Sequence, residues 1–342
     1  MKRLLDSKFR VGVSLVAVGF LLAACSGGSS SGETTSSEET TGAESPTVAP
    51  GGQTFVYAAA GVPESLDVWA TYQGDSSRTQ MYEWGSKLVY YDASDLAGNG
   101  CEQLATTENV RPGLAESWAI GADGTLTFTL RQGVTSGAGN VMTADDVVKS
   151  WNRAVEKSGV VRFLANTVAK FKEEAPFVKV DDQTVQVNVI RPTALDVSLF
   201  SYPMFGVLDW TEIEAKAGGD VDAWLTTNTA NFGPWVLESF APGEETVYEE
   251  NPNYWDADRR GNFDRMVIRN VSEASIRSQL ISTGEVNFAE RLSFQEYSQL
   301  ESAESVEIYN CVSANRDMLM LNSSFAAFDD PEVRKAISLG IN

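Results

Sequence analysis

The chain has 342 residues, 43% apolar and 10% aromatic, enough to bury a sizeable core over more than one domain. Its 47 Asp and Glu outnumber 26 Lys and Arg for a net charge of −21, and no basic run follows residue 10, so nucleic acid and anionic lipid headgroups make poor partners. Histidine is absent and Cys25, Cys101 and Cys311 form no C-x-x-C pair, which argues against a zinc site and dithiol redox chemistry; no cofactor is expected.

Lys2, Arg3, Lys8 and Arg10 precede an apolar run over residues 11–24. Fourteen residues are too few to span a bilayer, which needs about 20, but they suit the hydrophobic region of a signal peptide. The run ends in Leu22-Ala23-Ala24-Cys25, which resembles the bacterial lipobox and implies cleavage after residue 24 with lipidation of Cys25. Residues 26–53 are rich in Gly, Ser, Thr and Glu, with no aromatic and no Lys or Arg. Such a stretch cannot offset its ordering entropy and reads as a tether about 30 Å from end to end.

In the folded part, residues 55–59 read as a short strand. A hairpin follows: Ser117-Trp118-Ala119-Ile120, an Asp123-Gly124 turn, then Leu126, Phe128 and Leu130 alternating with polar residues. Thr143 is a helix N-cap, with Asp145 and Asp146 in the first turn and a Val147, Trp151, Val155 stripe facing the core. Two further hairpins are centred on Asp181-Asp182, between Val178/Val180 and Val185/Val187/Val189, and on Pro242-Gly243. From residue 263 the pattern alternates: a strand with Met266 and Ile268, a helix over 272–283 stopped by Gly284, a strand over 286–289 and a helix opened by the capping box of Ser293 and Glu296. Strands over 306–309 and 318–321 and a last helix behind Asp330-Pro331 complete the reading. The Val333, Ile337 and Ile341 face of that helix has nothing after it to cover it, which predicts an incomplete last domain.

Several segments together resemble the family 5 extracellular solute-binding proteins, the dipeptide, oligopeptide and nickel receptors of ABC importers. Pro63-Glu64-Ser65-Leu66-Asp67 is similar to the family's early P-x-S-L-D-P segment, with Val68 in place of the last proline. Gly113-Leu-Ala-Glu-Ser-Trp118, Asp123-Gly124, Phe128-Thr-Leu-Arg131 and Thr143-Ala-Asp-Asp-Val147 match its signature run. Asn231-Phe-Gly-Pro-Trp235, Asn251-Pro-Asn-Tyr-Trp255, Gly284-Glu-Val-Asn287 and the Phe328 to Ile337 segment continue the likeness.

The resemblance implies an α/β fold of the periplasmic-binding-protein type II kind, two lobes plus an inserted α+β domain. Residues 1–24 would be the signal peptide, 25–53 the lipidated N-terminus and tether, 54–84 and 206–312 lobe I, 85–205 the inserted domain and 313–342 the start of a truncated lobe III. The implied partners are a peptide or other small solute, ABC permease subunits, and the membrane through a lipid anchor only; the implied location is the outer face of the cell membrane. By the same resemblance, Tyr72 and Gly74 in the loop over 69–74, Phe163 from the inserted domain, and Asn315 and Arg316 in the crossing to lobe III are ligand-binding candidates.

Trp118, Trp151, Trp235 and Trp255 fall on apolar faces and read as packing residues. In an oxidising compartment Cys101 and Cys311 are candidates for a disulfide, whose connectivity sequence leaves open. No S-x-x-K or H-E-x-x-H motif supports an exported hydrolase. The residues are also compatible with the same receptor role for an oligosaccharide, metal chelate or other solute, and with a lipoprotein adhesin or chaperone reusing the fold.

Overall fold

A computed structural model describes residues 52–70, 86–92, 107–190, 197–309 and 319–341. All of them lie in the compact unit Val48–Asn342. The strands, in chain order, are β1 (Thr54–Ala59), β2 (Val89–Tyr91), β3 (Val110–Pro112), β4 (Ala115–Ile120), β5 (Leu126–Leu130), β6 (Phe177–Asp181), β7 (Thr184–Val187), β8 (Trp235–Ala241), β9 (Glu245–Glu250), β10 (Arg265–Asn270) and β11 (Phe288–Ala289). The helices are α1 (Ala144–Lys157), α2 (Gly159–Phe163), α3 (Trp210–Lys216), α4 (Val221–Leu225), α5 (Ala274–Thr283), α6 (Phe294–Leu300) and α7 (Pro331–Gly340).

One sheet has the order β11-β1-β10-β9-β8. β1 lies parallel to both neighbours, with Tyr57 opposite Ile268 on one side and Phe288 on the other. Val247, Tyr248, Met266, Val267 and Ile268 are consecutive buried residues, as befits strands covered on both faces. β8 and β9 are joined by a type II turn with Pro242 at its second position and Gly243, at φ +72°, at its third. The Glu244 N–H donates to Ala241 O at 3.0 Å across this turn. Gly243 N–H donates to Pro63 O at 3.0 Å, which draws the Pro63-to-Asp67 segment over the hairpin.

The second sheet, antiparallel with order β4-β5-β7-β6, is built wholly within residues 115–187. The β4–β5 connection is a turn in which Gly124 N–H donates to Gly121 O, with Gly124 at φ +85° before Thr125. α1 lies on this sheet and begins where predicted: the Asp146 carboxylate accepts from the Thr143 N–H at 2.9 Å. Val147 and Trp151 are fully buried, and the Trp151 ring sits 4.7 Å from Phe200 and 5.2 Å from Phe177. Its Nε1 donates to Phe205 O at 3.0 Å, so the indole is anchored at both ends. The apolar core is continuous from Tyr57 and Ile268 through Trp69 and Leu88 to Trp151 and Phe200.

Several local expectations are corrected. In β6 it is Phe177 that enters the core, while Val178 is half-buried and Val180 is 56% exposed. Side chains alternate along a strand, so with Phe177 opposite the buried Val187 the pair Val178 and Val180 takes the outer face; the register then shifts between Lys179 and Asp181. α5 starts at Ala274 and β11 has two residues, both shorter than predicted. Residues 306–309 form no strand: they have no ladder partner among the described residues, and Tyr309 is 52% exposed. Of the 318–321 segment, 319–321 is not a strand and Met318 lies outside the described residues. The Gly284 stop at φ +77°, the Ser293 cap and the Asp330 cap of α7 stand where predicted. On α7, Val333 and Ile341 are exposed and Ile337 is partly so.

Candidate ligand-binding loop and its support

The loop singled out by sequence begins at Trp69, and the structure describes its base. Leu66 N–H donates to Thr226 O at 2.9 Å, and Ser65 Oγ accepts from the Asp67 N–H at 3.1 Å. Asp67 is 3% exposed; its Oδ1 accepts from the N–H groups of Trp69 at 3.3 Å and Ala70 at 3.2 Å. One carboxylate thus holds the first turn of the loop in place. The Trp69 ring is buried and its Nε1 donates to Met204 O at 2.9 Å.

A buried carboxylate needs a counter-charge. Arg153 of α1 supplies it, donating to Asp67 Oδ1 at 3.0 Å and to Oδ2 at 2.5 Å. The same guanidinium reaches Asp222 of α4 at 2.8 Å, Lys157 joins Asp222 at 2.5 Å, and the Arg153 guanidinium carbon lies 5.5 Å from the Trp69 ring centre. Burial pulls the Arg153 pKa down, but the hydrogen bonds and charges of Asp67 and Asp222 outweigh it and the net shift is upward. The hydrogen bonds from Lys157 and Arg153 hold Asp222 below the usual carboxylate range.

Arg153 belongs to a second face of α1. Asp146, Ser150, Arg153 and Lys157 recur at helical spacing, and the first three are buried. Asp146 Oδ1 accepts from the Trp210 N–H at 3.0 Å; Ser150 Oγ accepts from the Leu208 N–H at 2.9 Å and from Trp210 Nε1 at 3.0 Å. Burial raises the Asp146 pKa, opposed by the hydrogen bonds from Thr143 and Trp210. One helix therefore packs its apolar stripe on the four-stranded sheet and grips the loop base and residues 208–222 with its polar stripe. Sequence reasoning singled out neither Arg153 nor Asp222. The signal available was the polar repeat at 146, 150, 153 and 157, but it does not name its partners.

Of the predicted ligand residues, Phe163 is described: it ends α2, is 58% exposed and is followed by a π-helical turn over Leu164–Ala169. Its neighbours Val160 and Leu164 line a cavity of about 650 Å³ that also takes in Tyr90, Tyr202 and Pro203; Phe163 does not line it. Tyr72, Gly74, Asn315 and Arg316, like Cys25, Cys101 and Cys311, lie outside the described residues. Among the described residues no group of three metal-binding side chains occurs, and no helix is long and apolar enough to cross a membrane.

Residues 109–342 match the family model of bacterial extracellular solute-binding proteins, family 5 Middle. The chain is 25% identical over 277 residues to the probable D,D-dipeptide-binding periplasmic protein of Escherichia coli K12, covering 81% of this chain and 50% of that one. It is 23% identical over 349 residues to heme-binding protein A of Haemophilus influenzae, covering 98% and 60%. Among solved structures it resembles the ABC transporter-associated periplasmic binding protein DppA of Helicobacter pylori in complex with the peptide STSA, with a TM-score of 0.68 at 22% identity over 85% of this chain and 56% of that one. The chain thus spans between half and three-fifths of the length of these relatives, and its fold is the α/β, type II periplasmic-binding-protein kind. With more than half of its length matched by the family model, the chain belongs to the bacterial extracellular solute-binding proteins, family 5.

Proposed function

We propose that this protein is the extracytoplasmic, lipid-anchored substrate-binding component of an ABC importer, and that it closes on short peptides and passes them to the permease without chemical change. In this reading residues 54–84 and 206–312 form lobe I, 85–205 the inserted domain and 313–342 the start of lobe III. The sheet shared by β1 and β8–β11, and the separate sheet built within 115–187, support that division. The observation that carries the proposal is the Asp67–Arg153 pair, which fixes the base of the loop over 69–74 in a chain of this family. Tyr72 and Gly74 would meet the ligand from this rigid base, with Asn315 and Arg316 opposite. Peptide is favoured because relatives named for dipeptide and peptide binding recur among the matches.

The test exposes the purified protein to an equimolar mixture of random dipeptides to pentapeptides, oligosaccharides and metal chelates, followed by rapid desalting and mass spectrometry of what stays bound. Retention of peptides supports the reading. Retention of the saccharides or chelates alone would assign the same receptor role to a different solute, and retention of nothing by a protein that carries lobe III in full would count against a receptor role.

A further inference from the structure

Like Arg153, Arg277 of α5 is buried, at 3% exposure, but its partners are of another kind. It donates to four main-chain carbonyls: Nη1 to Val271 at 2.5 Å and to Ser272 at 2.9 Å, Nε to Glu290 at 2.9 Å and Nη2 to Arg291 at 2.8 Å. Residues 271–272 follow β10 and residues 290–291 follow β11, so one planar fork of donors sets the exits of two strands at once.

The exit of β1 is tied to the same place. Glu290 Oε1 accepts from the Ala60 N–H at 2.9 Å, and the Val271 N–H donates to Ala59 O at 2.9 Å. Arg291 stands at φ +51°, a left-handed backbone that is costly for a residue with a side chain and persists where its surroundings fix it. The bond from Arg277 to its carbonyl is one such constraint. Because β1 lies parallel to β10 and β11, the three exits fall on one edge of the sheet. That carboxyl edge is where open α/β sheets receive their ligands. The segment leaving β1 there leads to the loop over 69–74, and Glu290 fixes its first residue just as Asp67 and Arg153 fix its last turn.

Building on the receptor role given above, we propose that Arg277 and Glu290 are positioning residues for solute capture. Arg277 holds the main chain of Glu290, whose carboxylate then sets the start of the segment over 60–70 and with it the candidate ligand loop. Neither side chain needs to touch the solute. What the Ala60 N–H requires at position 290 is an accepting oxygen, not a charge, and this separates positioning from electrostatic attraction of the solute.

The test offers the same mixture of random peptides, oligosaccharides and metal chelates to the protein that carries lobe III in full. Retention is compared between the parent and its variants at a temperature where all are folded. Glu290→Ala should retain at least about tenfold less, the size of a lost hydrogen bond to a charged group, whereas Glu290→Gln, which keeps an acceptor for Ala60, should stay within about twofold of the parent. Arg277→Lys keeps the charge but cannot span both strand exits, and it should retain several-fold less. Ile213→Ala opens a cavity in the core under α3, so it should lower stability and leave retention unchanged. Hydrogen exchange on the solute-free proteins should be faster over residues 57–62 and 288–292 in Glu290→Ala and not in Glu290→Gln. Where the parent retains a solute, four results would each overturn the proposal alone: unchanged retention in Glu290→Ala or in Arg277→Lys, a loss in Glu290→Gln as large as in Glu290→Ala, a comparable loss in Ile213→Ala, or unchanged exchange over those two segments. Retention of nothing by the parent would instead remove the receptor role, and the proposal with it.

Discussion

Arg153 grips both carboxylate oxygens of Asp67 across 86 residues of sequence, and this pair joins α1 to the base of the candidate ligand loop. Both side chains are almost fully buried, at 6% and 2% exposure. Removing one member takes from the other its buried bidentate counter-charge, which costs about 3 to 5 kcal/mol. Arg153→Met should therefore destabilise the protein by that order in urea unfolding, while the double variant Arg153→Met with Asp67→Asn should lose distinctly less. Equal losses in the single and double variants would show that the pair holds little beyond its packing.

The position of Lys87 makes a pH prediction. Its pKa falls from 10.5 in the unfolded chain to about 8 in the fold. Below pH 8 both states are protonated and the fold bears the full cost of the buried charge, at most roughly 3 kcal/mol. Between pH 8 and 10.5 the folded state releases its proton before the unfolded state does, so this group's contribution to stability rises with pH. Lys87→Met should be more stable than the parent at pH 7, and the gain should shrink steadily towards pH 10. Unfolding curves of the two proteins, compared at each pH so that other titrations cancel, measure it; a gain that does not change with pH contradicts the assignment.

Gly243 occupies the third position of the β8–β9 turn at φ +72°, where a side chain is strained, and a Cβ there would come 2.5 Å from Glu64 Oε1. The Glu64 side chain can swing aside, so the backbone term decides. Gly243→Ala should cost about 1 to 2 kcal/mol in thermal or urea unfolding, whereas Gly340→Ala, where a Cβ meets nothing within 4 Å, should cost nothing measurable.

If Tyr72 meets the ligand as proposed, Tyr72→Ala should weaken binding of a retained peptide by on the order of 1 to 3 kcal/mol through lost aromatic contact, with little change in unfolding midpoint. Calorimetry settles it: an unchanged affinity removes Tyr72 from the site.

Cys25 is expected to carry the lipid. A clickable fatty acid fed to expressing cells should label the parent chain and leave Cys25→Ser unlabelled; equal labelling of both would remove the anchor from the proposed function.

Features set within a few residues were legible without a structure. The Thr143 and Ser293 starts, the Gly284 stop, the Pro242-Gly243 turn and the Asp330 cap each depend on a local backbone conformation or a hydrogen bond spanning at most a few positions. The family motifs were legible for the same reason: residues 109–342 carry their pattern in order. Other features depend on which distant elements meet. β1 pairs in parallel with β10 and β11, more than two hundred residues away, and no alternation of apolar residues encodes that choice of neighbour. Val180 points outward because Phe177, not Val178, takes the inward side of β6, and side chains two apart share a face; which of the two parities meets the core is decided by the pairing of Phe177 with Val187. Arg153 read alone is a solvated charge on a helix, since burying an unpaired guanidinium is prohibitive. Only when tertiary packing brings Asp67 and Asp222 to it does the same residue become the buried link that holds the candidate loop, because the Coulomb and hydrogen-bond energy that offsets its desolvation comes from partners far from it in sequence.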